Sequence, residues 1–241
     1  MLQLTFLSNL LVLALEYLWS SIIVLLALRF IKKEGAYVAL ATLIIASNLG
    51  VAKLFNLFNL EVTAANMSMG MAFVIYSIIT EVYGKKEGQK AVWVGFFAQF
   101  AFIMLGLIYT SYVPSQNDFA QSYLSQAFAV TPRIALASWI AYILSGYTAV
   151  FIHNALRQKT KLWFRNNLAT KIGQIVDNLL FVTIAFLGLV DFRTYLSIFL
   201  TTTLVEFALD YVDTWIVYAG VQFLKDELQV HEYLNNVPLN K

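Results

Sequence analysis

Glu206, Asp210 and Asp213 stand four and three residues apart in a long apolar stretch near the C-terminus, and Glu16 and Asp177 lie in two other such stretches. On a helix, positions i, i+4 and i+7 share a face, so the three clustered acids would project together, with Thr202 and Thr203 a turn away. A carboxylate at the centre of a membrane helix costs roughly 2.5–3.5 kcal/mol to insert, and three charged, unpaired ones cost about 7–10 kcal/mol. Protons, water, a cationic ligand or a basic side chain must offset that cost. Lys53 and Arg133 fall near the outer ends of their segments and cannot neutralise all five acids. Ionisable groups inside a membrane mark substrate or proton pathways by default, and this reading outweighs that of a merely structural buried pair.

Other polar residues in apolar stretches add to the candidates. Gln174 and Asp177 are three apart and share a face, with Asn178 beside them; Ser47 and Asn48 sit mid-stretch; Glu81 closes another stretch next to Tyr83 and Gly84. The candidate binding residues are therefore Asn48, Glu81, Gln174, Asp177, Asn178, Glu206, Asp210 and Asp213. The blander readings are specific too. Asn48 and Gln174 can serve as interhelical hydrogen bonds, each worth about 0.6 kcal/mol. Glu81 can be solvated at the membrane surface, and Glu16 can face a neighbouring helix. Catalytic signatures such as HExxH, a Walker loop or GxSxG are missing, and His153 and His231 lie at a segment end and in the tail. There is no cysteine, which excludes disulfides and thiolate metal sites. The expectation is a protein that is not an enzyme and needs no cofactor or metal.

These residues must be positioned by membrane helices. Of the 241 residues 60% are hydrophobic and 12% charged, against roughly 25% charged in soluble domains. A span needs about 20 mostly apolar residues. Seven segments qualify: 6–31, 36–58, 62–82, 90–112, 132–156, 171–190 and 194–223. The third is the weakest, diluted by Asn66, Ser68 and Ser77. They leave no room for a soluble domain, so 1–241 reads as one membrane domain, and continuous apolar runs of this length argue against lipid-facing strands. Ala137, Ala141, Ser145 and Ala149 form a small-residue strip for close helix packing. The 113–131 loop carries Phe119, Tyr123, Leu124 and Phe128 and suits a short amphipathic helix or a partly ordered loop.

Basic residues alternate between loops. Those after spans 1, 3 and 5 and the tail after span 7 hold 13 of the 16 Lys and Arg, including Lys32, Lys85, Lys161 and Lys241; the other loops hold Lys53, Arg133 and Arg193. Cytoplasmic loops carry the Lys/Arg excess, which predicts an external N-terminus and a cytoplasmic C-terminus. The first seven residues lack Lys and Arg, which favours a retained helix over a signal peptide.

Several blocks occur in an order that resembles the queuosine precursor transporters, also called the vitamin uptake transporter family. They are Ser47-Asn48 to Lys53, Thr80-Glu81-Val82-Tyr83-Gly84-Lys85-Lys86, Ala91 to Phe96, Arg133 to Tyr142, Leu162-Trp163-Phe164-Arg165-Asn166-Asn167 with Thr170, and Gln174 with Asp177 and Phe181. The resemblance covers about residues 40 to 220. Ser77, Gly146 and Ala149 depart from the family's Asp, Gln and Asp, and Glu206 stands near its usual Lys. What the resemblance implies is an importer of a 7-deazaguanine such as preQ0, preQ1 or queuine across the bacterial inner membrane. It also implies a six-helix core over 34–224, similar to the substrate-binding subunits of energy-coupling-factor vitamin transporters. Residues 1–33 would then be an additional N-terminal helix and 225–241 a cytoplasmic tail. Asp177, Gln174 and Asn48 become candidates for the ring, and Glu206, Asp210 and Asp213 for an amine or a coupling proton. The expected partners are the 7-deazapurine substrate, the lipid bilayer and possible homo-oligomer copies, with no nucleic acid. The alternatives are a substrate-binding subunit of an ATP-driven vitamin transporter and a non-transporting scaffold subunit.

Overall fold

A computed structural model describes residues 2–51, 53–57, 60–129 and 131–236. Nine α-helices and one small hairpin account for nearly all of them. The long helices are α1 (Leu2–Phe30), α2 (Lys32–Gly50), α3 (Ala65–Tyr83), α4 (Lys85–Thr110), α6 (Pro132–Leu156), α7 (Leu162–Phe186), α8 (Phe192–Leu209) and α9 (Thr214–Asn236), with a short α5 (Gln121–Ala127) in the 113–131 loop. Among the described residues five helices are long and apolar enough to cross a membrane: Leu7–Phe30, α3, α4, α6 and α7. The expected second and seventh spans are helical as well, with changed boundaries.

Both changes are corrections. The second span does not run helical to residue 58. Helix α2 ends at Gly50, and β1 (Leu54–Leu57) pairs antiparallel with β2 (Leu60–Thr63), Phe55 opposite Val62. Short apolar runs do not distinguish a helix end from a strand by periodicity, which is why the hairpin is hidden in the sequence. Leu57 and Val62 bury themselves with Leu13 and Met67, and Asn9 donates to the Asn56 carbonyl at 3.0 Å, so the hairpin is fastened to α1. The last span is broken: Asp210–Val212 form one 3-10 turn between α8 and α9.

Helix α3 is the axis of the molecule. Every residue from Met71 to Glu81 is buried, and α3 packs against α1, α2, α4, α6, α7 and α9. Its low apolarity follows from that place, since a helix surrounded by helices need not match lipid. At its end Gly84 takes φ +86°, a left-handed conformation that glycine adopts without a Cβ clash, and α4 starts at once. Helix α6 starts where Thr131 accepts the Ile134 N–H at 3.3 Å and Pro132 occupies the first turn. Its strip of Ala137, Ala141, Ser145 and Ala149 is buried, within the most extensive helix pairing of the protein, α6 on α7. A Cβ on Gly146 would lie 2.9 Å from Val92, so a glutamine there would wedge α4 from α6.

The basic loops meet at one end. Lys33 pairs with Glu87 at 2.8 Å, Lys85 lies over Phe151, Arg157 reaches the Val82 carbonyl at 3.5 Å, and Arg29 lies over Phe223. The segments after α1, α3 and α6 therefore share a side with the part of α9 around Phe223. Lys241 lies outside the described residues.

Candidate functional site

The 3-10 turn sits against the first turns of α3 and the middle of α7, where a small cavity opens. Helix α3 lines it with Asn66, Met67, Gly70 and Met71, and α7 with Gln174. Glu206, Asp210 and Asp213 complete it. They do not form the expected stripe on one continuous helix. Glu206 ends α8, Asp210 opens the turn and Asp213 precedes α9, so a bend in the backbone gathers them. The space open to the centre of a water molecule is about 10 Å³, room for roughly one water.

Helix α7 supplies the polar partners at i, i+3 and i+7. Lys171 Nζ donates to the Phe207 carbonyl at 3.3 Å, Gln174 Nε2 to Asp210 Oδ1 at 2.9 Å, and Asn178 Nδ2 to Glu206 Oε2 at 2.7 Å and Thr203 Oγ1 at 3.2 Å. Gln174 Oε1 and Asp210 Oδ2 are buried with no hydrogen-bond partner. Such atoms cost about 1–3 kcal/mol each, so these two are the most conspicuous strain in the cavity wall. Among the described residues no ion pair joins Glu206, Asp210 or Asp213 to a cation, and no group of acids and histidines is placed to hold a metal ion. Arg133 is engaged elsewhere, donating to Ile184 O at 2.5 Å and Leu187 O at 2.6 Å at the end of α7.

Helix α1 reaches this site through Tyr17. Its hydroxyl donates to Val212 O and accepts from Trp215 Nε1, both at 2.9 Å, on either side of Asp213. Glu16 accepts the Ser68 backbone N–H in the first turn of α3, so it faces a neighbouring helix. Neither the Tyr17 contact nor Asn66 is signalled by spacing, because both depend on where the last helix breaks.

The other sequence candidates lie apart. Asp177 faces α6, where its Oδ1 accepts from Ser145 Oγ at 2.9 Å, close to the hydrogen-bonded Tyr76 and Tyr142 hydroxyls. Asn48 donates to Ile44 O of its own helix at 2.8 Å and does not line the cavity. Glu81 is buried at the basic end and is not solvated. Arg165 grips it with two bonds, Nε to Oε2 at 2.9 Å and Nη2 to Oε1 at 2.7 Å, and His153 Nε2 lies 3.2 Å from Oε2. Arg165 also donates to Thr160 O. Sequence reading had no way to couple Glu81 to partners 72 and 84 residues away. Beneath this cluster an open cleft of about 770 Å³ runs between α7 and α9, lined by Lys161, Arg165, Gln222 and Lys225.

Residues 63–220 match the model of a family described as putative vitamin uptake transporter. The chain belongs to this family. A "Probable queuosine precursor transporter" of Bacillus subtilis (strain 168) is 32% identical over 212 residues, covering 86% of this chain and 92% of the relative. A "Queuosine precursor transporter" of Escherichia coli (strain K12) is 25% identical over 148 residues, 59% of this chain and 63% of the relative. A second "Probable queuosine precursor transporter", from Haemophilus influenzae, is 25% identical over 137 residues, 54% of each chain. No solved structure matches the chain. The match over 63–220 contains α3 to the break and so includes every residue lining the cavity.

Proposed function

We propose that the chain imports a queuosine precursor, a 7-deazaguanine, across the bacterial inner membrane. The carrying observation is the polar cavity at the α8–α9 break, in a chain 32% identical to the Bacillus subtilis relative over 86% of its length. In this reading seven crossings are made, α1 preceding a six-crossing core, with the N-terminus outside and the basic end in the cytoplasm. The chain binds and moves its solute without catalysis. Asp177, fixed by Ser145, reads the N–H edge of the ring, and Gln174 and Asn178 hold the acid cluster in place from the same helix. The cavity has room for roughly one water, so a bicyclic ring enters only as α7 and the broken helix separate. This conformation is accordingly closed at the break. The test is uptake: cells unable to make the precursor, expressing this chain and fed a 7-deazaguanine, should regain queuosine in their tRNA. Absence of queuosine despite folded protein in the membrane would overturn the proposal.

A further inference from the structure

Resting on that reading, we infer that the cavity at the break is a subsite for a protonated primary amine, so the preferred substrate is a 7-deazaguanine bearing an aminomethyl group rather than a neutral one such as a nitrile. Three observations converge. The first is the chemistry of the wall. Gln174 and Asp210 are 3% and 4% exposed, and each keeps one oxygen without a partner. The bond from Gln174 Nε2 to Asp210 Oδ1 fixes which way the amide points, so its free atom is the acceptor. The Gln174 carbonyl and, in its carboxylate form, Asp210 Oδ2 only accept, and an ammonium has three donors and no acceptor, so binding the ammonium favours the ionised acid. A nitrile offers only an acceptor and would face oxygen with nitrogen. The second is charge. Glu206 and Asp213 line the same space, and among the described residues no ion pair joins the three acids to a cation. Lys171 donates to Phe207 O and lies over the Phe207 ring; its charge is felt at Asp210, but it forms no ion pair with the three acids. The third is size. A space for roughly one water suits an ammonium head and excludes a fused ring, so this is where the arm binds and the ring lies outside it.

The experiment is calorimetric binding of the purified full chain to three probes: 7-aminomethyl-7-deazaguanine, 7-cyano-7-deazaguanine and 7-deazaguanine. The aminomethyl compound should bind tighter than the nitrile by about tenfold or more, the worth of one charge-assisted hydrogen bond. In Asp210→Asn that ratio should fall toward one, by loss of aminomethyl affinity. Gln174→Glu, which keeps the acceptor, should retain the preference. Equal affinities in the unaltered chain, or a nitrile preference, would overturn the amine subsite and leave the import of deazaguanines standing. Binding of none of the three overturns the import reading itself. Equal loss of all three in Asp210→Asn would mean that this residue reads the ring, and would overturn the inference as well. Should a variant fail to fold, the ratio in the unaltered chain decides alone.

Discussion

Two buried acidic groups in this protein solve the same problem in opposite ways. Glu81, at the basic end, is clasped by Arg165 and touched by His153, with an arginine N–H on each carboxylate oxygen. Glu206, Asp210 and Asp213, at the break, make no ion pair among the described residues: Asn178 and Gln174 amides meet the first two, and Asp210 Oδ2 has no hydrogen-bond partner. A paired buried charge fixes one arrangement of α3, α6 and α7. A cluster that makes no ion pair among the described residues keeps acceptors open to a ligand. The difference teaches that buried charge alone does not mark a binding site; whether a side chain closes an ion pair on it separates the two clusters.

The largest effect should come from breaking the clasp. Arg165→Met leaves Glu81 buried without its main partner, and loss of one partner of a buried pair costs about 3–5 kcal/mol. The yield and melting temperature of the purified variant should fall sharply. Unchanged melting would mean that Glu81 reaches water and that the two clusters are not opposites. Asp210→Asn should do the reverse, holding or raising the melting temperature while lowering uptake per folded molecule, because it relieves a desolvated charge. A lower melting temperature with normal uptake would make the break another structural cluster. Asp177→Asn should weaken deazaguanine binding by about 1–3 kcal/mol, the cost of an unmet buried hydrogen bond, with little change in stability. Tyr17→Phe removes the bonds to Val212 and Trp215 and should cost about 0.5–1.5 kcal/mol in a melting experiment.

An exposed carboxylate supplies the baseline. Asp191 caps α8 beyond the end of α7, accepting from Thr194 Oγ1 at 2.6 Å and from the Thr194 and Arg193 N–H groups at 3.0 Å. These bonds, with Thr194 first, hold its pKa below the usual carboxylate value. A depressed folded-state pKa contributes stability above the unfolded pKa, and that stability is lost as pH falls through the folded one. Asp191→Ala should therefore shift melting slightly at neutral pH and not at all once the native protein's Asp191 is protonated, the smallest effect of the series.

Much of this was legible because helices announce themselves locally. Helix α6 coincides with the expected 132–156 because proline, the Thr131 cap and the small-residue strip all belong to one segment. The acid cluster was legible for a similar reason, since apolar surroundings expose a carboxylate in any sequence. What stayed hidden depends on distant partners. The hairpin forms because α1 offers Leu13 and Asn9 to residues 54–63. The break at Asp210 interrupts a segment that composition reads as continuous. Glu81 looked like a surface acid because Arg165 and His153 come from helices folded against it much later in the chain.

The Tyr17 contact has a mechanical side. A 3-10 turn carries few main-chain bonds, so α8 and α9 meet at a soft joint rather than along a stiff rod. Tyr17 holds that joint from outside, grasping Val212 and Trp215 on its two flanks. The first helix thus has the placement of a fulcrum: a swing of α8 away from α7 would leave the pivot seated on α1 and α9 packed against α3.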